Sequence, residues 1–234
     1  MTVRIGMWSG PRNISTAMMR SWENRADTDV VDEPFYACYL DRTGIEHPAT
    51  AEVIASQPTE EADVIADLMG RDIPVLYVKH MTHHWRREDR LEWASAFHNI
   101  LLIREPREVV ASYVKSREAC VAEDIGLLQQ AQLFDVLNEP PVIDARDFLT
   151  DPEGYQRWVC DWVGIDFDPA MLSWPAGPRD SDGVWAPHWY DAVWASTHFA
   201  PPPPREVTLS DELAAVAEES RDAYSTLWQR RVRV

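Results

Sequence analysis

Five short runs of apolar and β-branched residues, at positions 3–8, 29–31, 73–78, 99–103 and 141–143, constrain this chain most strongly. Each is too short for a helix and reads as a buried strand, and polar or helix-patterned sequence separates each from the next. Helical faces lie between them. Ile14, Ala17, Met18, Ser21 and Trp22 share one face at helical spacing, and so do Val109, Val110 and Tyr113. Strands alternating with helices specify an α/β chain built on a mainly parallel central sheet flanked by helices. In such sheets ligands gather at the carboxyl ends of the strands.

After Asp144 the pattern turns to helices and loops. Asp151-Pro152-Glu153-Gly154 reads as a helix start, and 155–163 as its body. Residues 177–194 are rich in Pro, Gly, Asp and Trp and read as a long loop. A proline-rich spacer at 200–204 then precedes a capping box, Thr208-Leu209-Ser210-Asp211, and a closing helix ending near Arg231. There is no internal repeat, and one domain over residues 1–234 is expected. No run of about 18 apolar residues reads as membrane-spanning, and no secretory signal is evident. Cys38, Cys120 and Cys160 are odd in number and lack CxxC spacing, which favours free thiols and a cytoplasmic location.

The net charge of −17 argues against nucleic-acid and anionic-membrane partners. The charge is uneven, however. Residues 71–117 carry nine Lys or Arg against six Asp or Glu, whereas the remainder carries 13 against 33. A small polyanionic ligand in a local basic pocket fits that distribution, and so does a solvated surface with chance clustering.

The first strand runs into Ser9-Gly10-Pro11-Arg12-Asn13-Ile14-Ser15-Thr16 and then directly into a helical pattern. A helix N-terminus offers unpaired backbone N–H groups and the positive end of a dipole, so this turn is suited to an anion. It lacks the Gly-Lys-Ser/Thr of a nucleoside triphosphatase loop, and no GxGxxG follows the strand. Backbone donors with Ser15, Thr16 and Arg12 suit a single phosphate, the alternative being an ordinary capped turn. A second stretch places Arg104 at the end of a buried strand, Pro106 near a helix start, and Ser112 about two turns into that helix.

Together these stretches resemble the sulfotransferase family, which uses 3′-phosphoadenosine 5′-phosphosulfate as donor and has a P-loop-like α/β fold. The resemblance implies Arg12 beside the bridging oxygen of the phosphosulfate. It places Asn13, Ser15 and Thr16 at the 5′-phosphate, and Arg104 and Ser112 at the 3′-phosphate. Ile14 stands where the family has glycine. Residues 142–152 and 162–165 are similar to the family's post-sheet region. Asp182-Gly183-Val184-Trp185 resembles its lid loop over the nucleotide, with Arg179 near the basic lid position. The implied reaction is in-line sulfuryl transfer to a hydroxyl or amine of a small-molecule acceptor, with a general base and no metal.

Two residues are candidates for that base. Glu33 precedes Pro34-Phe35 at the end of the second strand, and some carbohydrate-type sulfotransferases are similar there. His80 follows Lys79 at the end of the third strand, one position earlier than the histidine of cytosolic sulfotransferases. Lys79, one of two lysines beside Lys115, is expected to donate to the transferring sulfuryl group. His80 and His84 have helical spacing, but Met81 stands where a metalloprotease has glutamate, so no metal site is expected. The other readings are a nucleotide-binding protein without catalysis and a small-molecule P-loop kinase. A pyridoxal-phosphate aminotransferase has only two lysines to draw on.

Overall fold

A computed structural model describes residues 2–86, 89–115, 119–202 and 207–234. Strand β1 (Val3–Ser9) leads into helix α1 (Ser15–Glu23) and strand β2 (Thr28–Asp32). Helices α2 (Tyr36–Thr43), α3 (Thr50–Ser56) and α4 (Glu61–Gly70) precede strand β3 (Val75–Met81). Strand β4 (His98–Ile103), helices α5 (Pro106–Tyr113) and α6 (Leu127–Val136), and strand β5 (Val142–Asp144) complete the sheet. Helices α7 (Ala145–Thr150), α8 (Pro152–Val163), α9 (Ala186–Trp189), α10 (Asp191–Trp194), α11 (Asp211–Glu219) and α12 (Arg221–Gln229) follow.

The strands form one parallel sheet in the order β2-β3-β1-β4-β5. The expected α/β architecture is therefore present. A parallel sheet is covered on both faces, so its strands need apolar residues at successive positions. In β4, Ile100 and Leu102 join one core cluster while Leu101 and Ile103 join another. In β3, Val75 and Tyr77 pack with the first cluster, and Leu76 and Val78 pack under α4 on the opposite face. Met18, Met19 and Trp22 of α1 are fully buried on the face shared by Ile5 and Met7. Met18 and Trp22 lie on the face that the helical spacing predicts, and Met19 is buried in addition to it.

Four strands continue past their apolar runs, to Ser9, Asp32, Met81 and Asp144. These extensions, which carry Ser9, Asp32, Lys79 and Asp144, deliver polar side chains toward the rim where ligands gather. Two expectations change. Residues 177–194 are not wholly loop, because α9 and α10 form within them. The closing helix is two helices that meet at the buried Ser220, and the first is N-capped by Ser210, whose Oγ accepts from Leu213 N at 3.3 Å. Pro201 and Pro202 lie outside regular structure, while the rest of the spacer's prolines fall outside the described residues. Among the described residues no helix is long and apolar enough to cross a membrane.

The turn after β1 is pressed against the segment that starts α6. A Cβ at Gly10 would lie 2.3 Å from the Ile125 carbonyl oxygen, which is backbone and cannot swing aside. Gly10→Ala is therefore expected to cost about 1–3 kcal/mol of unfolding free energy by overpacking. Urea denaturation checks this; a midpoint equal to the parent's contradicts the contact.

Candidate active site

Between the ends of β1, β2, β3 and β4 lies a cavity of about 270 Å³. Arg12, Asn13, Ser15, Thr16, Arg104 and Ser112 line one part of it, and Glu33, Lys79, Tyr36, His84, Trp185 and Tyr190 also line it.

At the phosphate-type end, α1 begins without a side-chain cap and with no acidic residue in its first turn. Its first N–H groups thus remain suited to an anion. Ile14 occupies the cap position at φ −88° and packs against the core, so its side chain is turned away from the cavity and needs no glycine-like backbone. Asn13 is held fast: Nδ2 donates to Leu102 O at 3.0 Å, and Oδ1 accepts from Ile14 N at 2.8 Å. Arg12 has φ +55°, a left-handed conformation that a β-carbon disfavours. Its Nε donates to Ser112 Oγ at 3.1 Å, and its carbonyl accepts from Arg104 Nη1 at 2.8 Å. Glu108 in turn ties Arg104 to Arg146. Burial, then the charge of Arg104, lowers the Arg12 pKa. Two neighbouring guanidiniums, one without a carboxylate partner among the described residues, make a site for concentrated negative charge.

At the other end, Glu33 also has a left-handed backbone, φ +43°. Lys79 lies 2% exposed and donates all three of its N–H bonds: to Asp32 Oδ1 at 2.8 Å, Glu33 Oε1 at 2.5 Å and Tyr190 Oη at 2.7 Å. Tyr190 Oη donates a hydrogen bond to Asp32 Oδ2 at 2.7 Å and accepts one from Trp185 Nε1 at 3.2 Å. Burial disfavours the Lys79 ammonium, but Asp32 and Glu33 outweigh it and hold the pKa well above its usual value. Burial raises the Glu33 carboxyl above the ordinary range, the charge of Lys79 opposing and that of Asp32 adding.

The sequence-based candidates divide here. Lys79 and His80 are consecutive on β3, and the pleat sends consecutive side chains to opposite faces. Lys79 reaches the main cavity. His80 instead stacks on Trp8, ring centroids 4.2 Å apart, beside a separate cavity of about 30 Å³. Burial pushes its imidazole down to about 3, a very weak base. Of the two base candidates, only Glu33 lines the main cavity. Lys79 differs from its expected role as well, since its three donors are already committed.

The segment expected to form a lid is anchored to α1. Arg179 pairs with Glu23 of α1 at 3.2 Å, Ser181 donates to Glu23 at 2.5 Å, and the buried Arg20 pairs with Asp182. Arg179 and Gly183 do not line the cavity, whereas Trp185 does. A Cβ at Gly183 would fall 2.1–2.3 Å from the Trp185 indole carbons, so the glycine lets that ring fold back into the wall. Asp32, Tyr190 and His84 are site residues that motif spacing does not reveal. Tyr190 lies 111 residues from the lysine it contacts, without any local signature.

Removing Lys79 strands two buried carboxylates. Lys79→Met is expected to cost about 3–5 kcal/mol, and adding Asp32→Asn to recover part of that loss. Denaturant unfolding of the single and double variants checks both statements.

Comparison with known proteins identifies the family. A family model described as "Sulfotransferase domain" matches residues 3–223. The fold resembles the sulfotransferase domain of the Synechococcus PCC 7002 olefin synthase (TM-score 0.58, 17% identity, 94% of each chain). It also resembles the sulfotransferase domain of the curacin biosynthetic pathway (TM-score 0.54, 16% identity, 100% of this chain and 99% of that one). Two Arabidopsis thaliana proteins, branched-chain-amino-acid aminotransferase-like proteins 1 and 2, are 36% and 33% identical over 214 and 205 residues. Those matches take in 88% and 85% of this chain, which spans only 38% and 36% of the relatives' length. With the model match over nearly its whole length, the chain belongs to the sulfotransferase family.

Proposed function

We propose that the chain transfers a sulfuryl group from 3′-phosphoadenosine 5′-phosphosulfate to a hydroxyl or amine of a small-molecule acceptor. The observation that carries this reading is a single cavity lined by paired arginines, an uncapped helix start and one carboxylate of raised pKa. Arg104 and Ser112 hold the 3′-phosphate. The first N–H groups of α1, with Ser15 and Thr16, hold the 5′-phosphate. Arg12, resting on Ser112 and bound to Arg104 through its carbonyl, serves both ends. The donor supplies the activated sulfur–oxygen bond. The chain's own residues hold its charges in place and neutralise what develops on the leaving phosphate.

Glu33 takes the acceptor's proton. Oε1 is occupied by Lys79, and among the described residues no hydrogen bond reaches Oε2. Its raised pKa brings the carboxylate nearer the range useful for base catalysis at neutral pH. Lys79 and Tyr190 position Glu33. Trp185, Trp189, Ala192 and Val193 contribute apolar wall, and acceptor selection is assigned to this side of the cavity. The relatives' aminotransferase-like name finds no matching amine in this cavity: Lys79 is kept as a fully bonded ammonium, whereas Schiff-base chemistry needs a free amine.

Calorimetric titration with adenosine 3′,5′-bisphosphate tests the donor site. Arg104→Ala is expected to weaken binding by about 2–4 kcal/mol, roughly 30- to 1,000-fold, because a desolvated charge pair is truncated. No binding by the parent protein overturns the reading. With an acceptor found by screening, Glu33→Gln is expected to lose roughly 10²–10⁴ in rate. The ionised carboxylate is the active form, so the rate falls as pH drops through its raised pKa. The acid limb of kcat/KM therefore lies above the ordinary glutamate range. A limb within that range, or none, contradicts the assignment.

A further inference from the structure

We infer that His84 is a second acceptor-binding group, whose Nε2–H holds the acceptor oxygen while Glu33 removes its proton; this rests on the sulfuryl-transfer reading above. The ring is 5% exposed and lines the main cavity. It stacks against Tyr36 and Tyr39, centroids 4.6 and 4.8 Å away and interplanar angles of 15° and 24°. Its carbonyl accepts from Arg42 Nη2 at 3.0 Å, so both backbone and ring are fixed. Nε2 has no hydrogen-bond partner, which is unusual for a polar atom buried to this degree.

That atom lies 3.9 Å from Glu33 Oε2. The separation is too long for a direct hydrogen bond, yet one oxygen atom placed between them can lie about 2.8 Å from both. Burial, then the neighbouring His83, pushes the His84 imidazole well below its ordinary pKa. A neutral ring carries one N–H and one acceptor nitrogen. With the proton on Nε2, the groups around an acceptor hydroxyl are complementary. The hydroxyl proton points to Glu33 Oε2, and one lone pair accepts from His84 Nε2–H. The remaining lone pair is aimed at sulfur. In the transfer step the acceptor oxygen bonds to sulfur, the bond from sulfur to the bridging phosphate oxygen breaks, and that electron pair leaves on the phosphate. The acceptor proton ends on Glu33. An amine acceptor offers only one lone pair, which sulfur needs, so His84 in this tautomer selects hydroxyls.

The test uses water as the probe acceptor. Crystals of the full chain with adenosine 3′,5′-bisphosphate are expected to show a solvent oxygen within hydrogen-bond distance of both Glu33 Oε2 and His84 Nε2. His84→Phe preserves the stacked ring and removes the donor; His84→Gln keeps an N–H near the same place. Hydrolysis of 3′-phosphoadenosine 5′-phosphosulfate, followed by bisphosphate release, is expected to fall at least 10-fold in His84→Phe and to stay within about 3-fold in His84→Gln. Bisphosphate affinity is expected to remain within about 2-fold in both variants, which also reports that they fold. A direct Glu33–His84 hydrogen bond, no bridging solvent in the loaded crystal, or equal hydrolysis in all three proteins overturns the role of His84 alone. Failure of the parent chain to bind the bisphosphate overturns the donor reading, and the role of His84 falls with it.

Discussion

One buried ammonium organises the active end of this sheet. Lys79 reaches β2 through Asp32 and Glu33, and reaches the segment beyond residue 183 through Tyr190. Three regions distant in sequence are joined at one nitrogen, with Trp185 attached through the tyrosine hydroxyl. Two carboxylates against one ammonium leave the cluster one negative charge in excess when both are ionised. That excess is most easily relieved at Glu33, whose second oxygen has no hydrogen bond among the described residues. A carboxylate held this way is rigid, partly desolvated and ready to accept a proton, which is what base catalysis asks of it.

The backbone adds a second constraint. Among the described residues, five non-glycine residues have positive φ, and two of them, Arg12 and Glu33, lie on opposite sides of the cavity. Left-handed backbone at such residues costs of order 1–3 kcal/mol and persists where surrounding contacts over-determine it. Here those contacts are visible. Arg104 holds the Arg12 carbonyl, and the Glu33 backbone is fixed by Lys79 O, Tyr36 N and Gln57. Strain of this kind turns the strand ends inward and aims both side chains at one volume.

Much of this was legible in the sequence, for reasons of range. Strand order along the chain and the buried face of α1 follow from local periodicity, which needs no partner to be read. The phosphate-type residues were legible because they come as short spaced motifs on single elements. The opposite fates of Lys79 and His80 were not. Their separation depends on where β3 ends, and the strand runs three residues beyond its apolar stretch, to Met81. Nor was the burial of Arg20 on α1. One of its two carboxylate partners, Glu23, is a turn away on the same helix, but the other, Asp182, lies 162 residues away. Tyr190 is hidden in the same way. Long-range polar pairing leaves no periodic trace, so the parts of the site built from it emerge only once the chain is folded.

Asp182 has a consequence for how such a protein can change over evolution. Its carboxylate holds Arg20 through one oxygen and accepts from Trp194 Nε1 through the other at 3.0 Å. The stretch between 182 and 194 is therefore clasped at its base, and its ends stay fixed whatever lies between. Trp189, Ala192 and Val193 face the cavity from inside that clasp. Substitution there re-cuts one wall of the chamber without disturbing the sheet, the phosphate end or the lysine knot. Variation at those three positions changes what the chamber admits, provided Tyr190 and Trp185 keep their bonds to the lysine cluster.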